Sequence, residues 1–166
     1  MICPVCQFDN IAGSDECENC GADLRAASLQ PSAAGDVGTT LLTEHLAELD
    51  PRLPVSVRPE DDVAKAVALM QEHGIGCVTV ESDRLVGILT ERDVVLKLAG
   101  RPLTGVRVRD VMTPDPVVLR GDDTVAVAIH KMALGGFRHI PLVSAGRATG
   151  IISARDLSHH LVTLIG

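Results

Sequence analysis

Aromatic side chains are almost absent from this sequence, which has no tryptophan, no tyrosine and only Phe8 and Phe137. A folded core is still expected because 46% of the 166 residues are apolar, but it must be packed from Val, Ile, Leu, Ala and Met. Proteins that bind single-stranded nucleic acid stack the bases on aromatic rings, so this composition argues against that class.

The sequence also lacks long apolar runs. No segment approaches the roughly 20 apolar residues that a membrane-spanning helix needs. The first residues, MICPVCQFDN, do not have the basic region and apolar run of a signal peptide. We therefore expect a cytoplasmic protein. Cysteines stay reduced in that compartment, where closely spaced pairs bind metal more often than they form disulfides.

Positive charge is scarce in the N-terminal third. Residues 1–54 contain nine acidic residues against Arg25 and Arg52, whereas residues 55–166 carry thirteen residues of each sign, so the formal charge of −7 belongs to the first segment. An acidic segment repels phosphate backbones. We therefore expect this segment to bind a protein partner in preference to DNA or RNA.

Four of the five cysteines form two Cys-x-x-Cys pairs, with ten residues between them: Cys3, Cys6, Cys17 and Cys20. Each pair can direct two thiolates at one ion, and two facing pairs complete a tetrahedral shell, which predicts a structural zinc site. Iron and a redox-active cysteine pair are the alternatives. Four thiolate ligands leave no open coordination position, so no metal catalysis is expected. Cys77 lies in an apolar run and is predicted to be a core residue.

The cysteine segment, CPVCQFDNIAGSDECENCGADL, resembles the zinc-ribbon modules of many bacterial proteins, in which CPxC and CxxCGxxL are typical halves. Such a module is too short to fold on apolar burial alone, so metal binding is expected to supply its folding free energy. We assign residues 1–25 to this ribbon. Residues 26–40, rich in Ala, Ser, Gly and Pro, are predicted to be a flexible linker, and residues 41–49 a short amphipathic helix.

The remainder of the chain contains an internal repeat. Residues 61–80 align with residues 123–142 at a shift of 62, and the sequence GILTERD at 87–93 aligns with GIISARD at 150–156 at a shift of 63. Each copy is predicted to be a β-α-β-β-α unit. Because one such unit cannot bury both faces of its sheet, we predict that the two copies pack sheet to sheet.

The elements of each copy follow from apolar patterns and turn residues. Strands are predicted at 55–57, 77–80 and 85–89 in the first copy, and at 117–119, 139–143 and 148–152 in the second. A helix is predicted after the first strand of each copy, following an acidic turn, and the closing helices are predicted at 92–98 and 154–164.

Several separated motifs identify a family. With DVMTPDPVVL between the copies, FRHIPLV in the second and a Gly-aliphatic-aliphatic-Thr/Ser-x-x-Asp ending in both, residues 50–166 resemble a tandem pair of cystathionine-β-synthase (CBS) domains, called a Bateman module. The resemblance implies an α+β fold in which two units are related by a pseudo-twofold axis. We place the first unit and its preceding helix at 41–110 and the second unit at 111–166.

The repeated hydroxyl and carboxylate predict a nucleotide site. Thr90 and Ser153 lie where a strand ends and a helix begins, so each hydroxyl and the free amides beside it can bind phosphate. Asp93 and Asp156, three residues further on, are acceptors that suit the two hydroxyl groups of a ribose. The same spacing also caps a helix N-terminus, which is the alternative interpretation. Because both copies keep the pair while neighbouring residues differ, the nucleotide site is favoured.

The family resemblance implies the same contacts, with the adenine base against apolar residues near the first strand of each unit. Those apolar residues would be Val57 and Ile75 in one cleft and Val117, Val118, Phe137 and Ile140 in the other. The complete predicted set of ligand contacts is Thr90, Arg92, Asp93, Val117, Val118, Phe137, Arg138, His139, Ser153, Arg155 and Asp156. The first copy has Gly76-Cys77 where the second has Arg138-His139, so a first cleft without Arg and His donors is expected.

We interpret the chain as a regulatory protein that senses AMP, ADP, ATP or S-adenosylmethionine, with the zinc ribbon as an adaptor for a protein partner. The sequence shows no nucleophile with its base and no open metal site, so no enzymatic activity is expected. The resemblance also implies a homodimer. The alternative is a ligand-free interaction scaffold in which both Asp residues only cap helices.

Overall fold

The computed structural model describes residues 3, 5–11, 14, 16–22, 24 and 34–165. The chain divides into two compact units, Met1–Gly38 and Thr39–Gly166. The first unit contains the cysteine cluster, in which Cys3, Cys17 and Leu24 are buried together. The second unit contains both copies of the internal repeat.

Helix α1, Ala34–Thr43, begins inside the segment predicted to be a flexible linker. Residues 26–33 of that segment lie outside the described residues, but residues 34–40 are helical, so the linker prediction is corrected there. No proline interrupts residues 34–43, and Leu41 packs against a buried cluster of the second unit. A helix that packing stabilises at one end can extend into a segment whose own sequence has no helical period.

The helix predicted over residues 41–49 is interrupted. His45 is extended, with φ −88° and ψ 147°, and a short 3₁₀ helix follows at Leu46–Leu49. The amide of Leu46 donates to the carbonyl of Asp123 at 2.9 Å instead of to the preceding helical turn. A tertiary hydrogen bond therefore ends α1 and turns the chain toward the second repeat.

The first repeat forms a four-stranded sheet in the order β1-β2-β3-β4, in which β1 is parallel to β2 and the other pairs are antiparallel. Helix α2 connects β1 to β2, and helix α3 follows β3. The predicted strands and closing helix agree with these elements within one residue, whereas β4 was not predicted. The bounds are β1 Ser56–Val57, α2 Val63–His73, β2 Cys77–Glu81, β3 Leu85–Thr90, α3 Glu91–Leu98 and β4 Thr113–Pro114.

The second repeat has the same order of elements, but its sheet has only two complete strands, β5 and β6, which are antiparallel. Helix α4 precedes β5 and helix α5 follows β6. The bounds are α4 Val125–Gly135, β5 His139–Ser144, β6 Arg147–Ser153 and α5 Ala154–Ile165.

The strand predicted at 117–119 is reduced to one isolated bridge, between Leu119 and Leu142. In the first repeat, the amide of Thr79 donates to the carbonyl of Val55 and so joins β2 to the start of β1. The repeat-equivalent residue of Thr79 is Pro141, which has no amide hydrogen to donate. The loss of this hydrogen bond explains why the second sheet lacks a complete first strand.

In each sheet, the last long strand pairs at its outer edge with the chain segment that leads into the other repeat. In the first sheet Thr113 of β4 pairs with Ile88, and in the second Arg52 pairs with Ile151, the repeat-equivalent position. The amide of Ile151 donates to the carbonyl of Arg52 at 2.9 Å. Arg52 and Thr113 therefore occupy equivalent places in the two sheets.

The segment before the first repeat contributes to the core of the second. Leu46 is fully buried in a cluster with Leu119, Ile140 and Leu157, and Leu49 packs beside it. Residues 41–49, which the sequence assigned to the first unit, therefore pack against the second. The hydrogen bond to Asp123 and the apolar side chains together direct the segment across to the second repeat.

We expect Leu46→Ala to lower the free energy of unfolding by about 2–3 kcal/mol, because it leaves a cavity among buried aliphatic side chains. Leu42→Ala is the matched control: Leu42 is 67% exposed, so its truncation should change stability by less than about 0.5 kcal/mol. Urea unfolding of the two variants measures the difference. Equal stabilities would contradict the position of Leu46 in the core.

The two repeats contact each other through hydrogen bonds at the ends of their strands. The amide of Leu85 donates to the carbonyl of Gly146 at 2.9 Å, and the amide of Ala148 donates to the carboxylate of Glu81 at 3.2 Å. On the other side, the guanidinium of Arg92 donates to a carbonyl of the α4–β5 turn at 3.2 Å. These contacts fix the repeats against each other and leave two clefts between them.

Candidate functional site

The four predicted metal ligands lie together. The Sγ atoms of Cys3, Cys6, Cys17 and Cys20 are all within 4.8 Å of one another, with 3.7 Å between Cys3 and Cys20 and 3.6 Å between Cys6 and Cys17. A tetrahedral site with metal–sulfur bonds of about 2.3 Å has sulfur–sulfur edges of about 3.8 Å. The donor set therefore fits an ion of the size of zinc.

Both Cys-x-x-Cys pairs use the same backbone turn. The amide of Gln7 donates to the carbonyl of Cys3 at 2.9 Å, and the amide of Gly21 donates to the carbonyl of Cys17 at 2.8 Å. Gln7 has φ 62° and Gly21 has φ 69°. Gly21 adopts this left-handed conformation without steric cost because it has no β-carbon. The equivalent role of Gln7 was missed, because a residue other than glycine gives no sequence signal for the left-handed conformation.

Asn10 joins the two pairs. Its side-chain amide donates to the carbonyl of Phe8 at 3.0 Å and lies 3.6 Å from the sulfur of Cys17, while its oxygen accepts from the amide of Glu18 at 3.0 Å. Asn10 thus holds the first pair against the second and directs a donor at the metal shell.

The environment of Cys17 favours its thiolate. Burial alone would raise the pKa of Cys17, but hydrogen bonds from the backbone amides of Cys20 and Asn19 and from Asn10 lower it to about 6. Thiolates gathered in one small volume repel one another, and a divalent cation removes that repulsion. The preformed donor set is therefore suited to a metal ion in its chemistry as well as in its spacing.

The second predicted site begins at the two Ser/Thr–Asp turns. The hydroxyl of Thr90 donates to Asp93 at 2.6 Å and the amide of Asp93 lies 3.2 Å from the Thr90 hydroxyl oxygen; the Ser153 hydroxyl donates to Asp156 at 2.6 Å. Each turn caps the helix that follows it, so the capping interpretation describes a real feature of the fold. The caps also place each carboxylate at the mouth of a cleft between the repeats.

The larger cleft, of about 630 Å³, surrounds Asp156. One wall comes from the first repeat and includes Val55 and Ile75, while Arg52 enters the cleft beside the second repeat through its pairing with Ile151. The opposite wall contains Ser153, Arg155, Asp156, Arg138 and His139. The cleft therefore combines arginines, a capping carboxylate and an apolar wall contributed by both repeats.

The smaller cleft, of about 310 Å³, surrounds Asp93. Apolar side chains of the second repeat, Val117 and Phe137, face Thr90 and Arg92 of the first repeat across it. Most of the predicted contacts therefore line one cleft or the other. Val118 lines neither, while Val57 and Ile140 are buried in the cores, so these three are corrected as cleft residues.

Arg138 and His139 line both clefts. The expectation that the cleft of Thr90 and Asp93 lacks Arg and His donors was wrong, because each cleft is built from both repeats and not from one. Gly76 of the first repeat packs next to the His139 ring, which would lie 3.4 Å from a β-carbon at this position. Burial, and then the charge of Arg138, lower the pKa of His139, so the ring is neutral at pH 7 and offers one donor.

The two capping carboxylates differ in their remaining partners. The second oxygen of Asp93 accepts from Lys97 at 2.9 Å and from Thr113 at 3.1 Å. The second oxygen of Asp156 accepts no hydrogen bond from the described residues, and Arg52 approaches it only to 4.0 Å. Burial would raise the pKa of Asp93, but the hydrogen bonds from Thr90 and Lys97 outweigh it and lower the pKa.

Sequence reasoning missed Arg52 and Lys97. Arg52 precedes the first repeat and enters the larger cleft only because its backbone pairs with Ile151 of the second repeat. Lys97 lies four residues after Asp93 on α3, a spacing that was available as a signal for an ion pair.

The chain belongs to the CBS-domain family, whose profile matches residues 48–100 and 108–163. It is therefore built on two tandem CBS domains. An uncharacterized 17.7 kDa protein of Acidianus ambivalens is 38% identical over 109 residues, or 64% of this chain and 66% of that protein. An inosine-5'-monophosphate dehydrogenase of Korarchaeum cryptofilum is 38% identical over 105 residues, which are 62% of this chain but only 21% of the dehydrogenase. The similarity to the enzyme is confined to its CBS region.

Solved structures show the same fold. A CBS-domain-containing protein of Agrobacterium tumefaciens matches 70% of this chain and 98% of its own, with 31% identity and a TM-score of 0.64. CBSX2 in complex with AMP matches 72% of this chain and 97% of its own, with 25% identity and a TM-score of 0.63. A hexameric CBS-CP12 protein of bloom-forming cyanobacteria matches 70% of this chain and 71% of its own, with 29% identity and a TM-score of 0.66. The predicted α+β tandem CBS fold is confirmed.

Among the described residues, every helix is too short or too polar to span a bilayer.

Proposed function

We propose that the CBS pair binds an adenine nucleotide or a related adenosyl ligand in the cleft between its two repeats, and that the cysteine unit binds zinc and contacts a protein partner. The observation that carries the first part is the Asp156 carboxylate. One of its oxygens is held by the Ser153 cap, and the other faces a cleft of about 630 Å³ without a hydrogen bond from the described residues.

The chemistry of this cleft matches the parts of a nucleotide. The open carboxylate oxygen can accept from two ribose hydroxyls, since it is an acceptor with two free lone pairs. Arg138 and Arg155 supply positive charge for phosphate oxygens, and His139 supplies a neutral donor. Val55 and Ile75 form the apolar wall against which a base would lie. The AMP complex of CBSX2 supports this class of ligand.

A ligand in this cleft would act on the arrangement of the repeats. The cleft takes Val55 and Ile75 from the first repeat and Ser153 and Asp156 from the second, so a bound molecule contacts both. Such a ligand binds one arrangement of the repeats more tightly than the other. The difference between the two affinities sets how far the ligand shifts the population. We propose that the protein partner responds to this shift.

The cysteine unit is the proposed adaptor. Four cysteine sulfurs lie close enough to bind one ion, and a tetrahedral four-sulfur shell would stabilise the unit and leave no position for a substrate. Val5 and Ile11 are among its exposed apolar side chains, at 72% and 75%. Because the surrounding sequence is acidic, a protein surface is a better partner for this unit than a nucleic acid.

We also propose a cytoplasmic homodimer. The exposed faces of the two closing helices carry large apolar side chains, Val95 and Leu96 on α3 and Val162 and Ile165 on α5. Exposed apolar side chains on helices favour association, because a second chain can cover them. The hexameric CBS-CP12 structure supports oligomer formation in this fold.

The absence of Trp and Tyr makes bound nucleotide easy to detect, because the protein itself absorbs little at 280 nm. An absorbance maximum near 260 nm in the purified protein would report a bound purine. Calorimetric titration with AMP, ADP, ATP and S-adenosylmethionine then identifies it. If none of the four ligands binds the nucleotide-free protein, the sensing function is wrong and the ligand-free scaffold, which the two helix caps favour, replaces it.

A further inference from the structure

We infer that each chain binds one nucleotide, at Asp156, and that Lys97 and Thr113 close the equivalent site at Asp93 by satisfying its carboxylate. This inference rests on the proposed function. In the sequence repeat the Asp93 and Asp156 sites are equivalent. The inference follows from a difference between them in the structure.

The Asp93 carboxylate has no capacity left for a ligand. One oxygen accepts from the amide and the hydroxyl of Thr90, at 3.1 Å and 2.6 Å. The other accepts from Lys97 at 2.9 Å and from Thr113 at 3.1 Å. A carboxylate offers about four lone-pair positions, and four donors from this chain already occupy them. A ribose would have to displace a charged partner.

The Asp156 carboxylate is only half satisfied. One oxygen accepts from the amide and the hydroxyl of Ser153, at 2.8 Å and 2.6 Å. Arg52 lies 4.0 Å from the other oxygen, which is beyond hydrogen-bond distance, and its side chain is 61% exposed. Two acceptor positions therefore remain, one for each hydroxyl of a vicinal diol.

Two sequence differences explain the contrast. Lys97 follows Asp93 by four residues, whereas the residue four after Asp156 is His160, which is held by Glu44 at 2.6 Å. In the paired strands, Arg52 occupies the place of Thr113, as shown by their partners Ile151 and Ile88. The short hydroxyl of Thr113 reaches the carboxylate, and the long side chain of Arg52 extends past it.

Lys97 also connects α3 to the segment between the repeats. Its ammonium donates to the carbonyl of Val111 at 2.6 Å in addition to its ion pair with Asp93. The lysine is therefore held from two sides, by the carboxylate and by the inter-repeat segment that also contains Thr113. The cleft beside it has about half the volume of the other, about 310 Å³ against 630 Å³.

Calorimetric titration of the full chain with ATP and with AMP tests the stoichiometry. We expect one molecule per chain, with the affinity unchanged within about twofold in Asp93→Asn, which keeps an acceptor for the helix cap. Two molecules per chain, or loss of binding in Asp93→Asn while thermal unfolding stays cooperative, would overturn the inference but leave the proposed function standing. No binding to the wild-type chain would instead overturn the proposed function and the inference with it.

A second variant tests the cause. Lys97→Met combined with Thr113→Val removes both donors from the outer oxygen of Asp93 and keeps side chains of similar size. We expect the stoichiometry to rise from one to two, with the new site lost again when Asp93→Asn is added. A folded double variant that still binds one nucleotide would show that these two residues do not close the site.

Discussion

Replacing Asp156 by asparagine is expected to weaken nucleotide binding by about a hundredfold, because two charge-assisted hydrogen bonds to the ribose hydroxyls are lost at a combined cost of about 3 kcal/mol. Asparagine can keep its oxygen on the Ser153 cap and then presents an NH₂ group, which cannot accept, to the ligand. The measurement is the dissociation constant by calorimetry. Thermal unfolding of the variant confirms that the cap and the fold are retained.

The matched control is Asp93→Asn, which makes the same chemical change at the repeat-equivalent turn. It changes a carboxylate whose outer oxygen already accepts from Lys97 and Thr113. We therefore expect it to lower the stability of the protein and to leave its affinity for the nucleotide unchanged. The Asp93–Lys97 pair is partly exposed, so that loss of stability is expected to stay within about 1 kcal/mol. Equal losses of affinity in the two variants would mean that both clefts bind the ligand.

The repeat could be predicted from the sequence because its signals are local. Apolar runs in the strands, acidic turns before the helices and the Gly-aliphatic-aliphatic-Thr/Ser-x-x-Asp ending of each copy all involve residues close together in the chain. Except for residues 117–119, the predicted strands agree with the structure within one residue. The absence of a complete first strand from the second sheet could also have been predicted from the sequence. Pro141 stands where Thr79 donates a ladder hydrogen bond, and a proline cannot.

The composition of the clefts could not be predicted in the same way, because it depends on how the chain crosses between repeats. Arg52 precedes the first repeat but pairs with Ile151 in the second, and Leu46 joins the core of the second. Arg138 and His139 lie in the second copy and line both clefts. A sequence alignment of the two copies assigns each residue to its own unit, and so it misplaced these side chains.

The asymmetry of the two carboxylates gives a physical basis for regulation by a single ligand. Lys97 ties the Asp93 turn to the carbonyl of Val111 and so joins the first repeat to the inter-repeat segment. At the Asp156 turn, Arg52 lies 4.0 Å from the outer carboxylate oxygen, and His160, the counterpart of Lys97, is held by Glu44. A ligand at Asp156 would complete a hydrogen-bond set that Asp93 completes internally, and because it would contact both repeats it would favour one arrangement of them.

Removal of the metal is expected to unfold the cysteine unit completely while leaving the CBS pair folded. Structural zinc contributes about 10–16 kcal/mol of apparent binding free energy in small zinc-finger peptides. Outside the cysteines, Leu24 is the one fully buried apolar side chain among the described residues of this unit. Apolar burial alone therefore cannot replace the metal. Chelation should abolish the dispersed amide signals of this segment in NMR spectra and leave the cooperative unfolding of the CBS pair unchanged.

Cysteine substitutions test whether the unit unfolds because the metal is lost or because any cysteine thiol is removed. Metal analysis of the wild-type chain should find about one zinc per chain, as expected for one tetrahedral four-cysteine site, and Cys17→Ser should lose it together with the fold of the unit. Cys77→Ala is the control, because Cys77 is a buried residue of the first sheet and burial raises the pKa of its thiol to about 12, so it should keep the metal. A cysteine unit that stays folded without metal would show that the four sulfurs lie together for another reason, such as thiol–disulfide exchange.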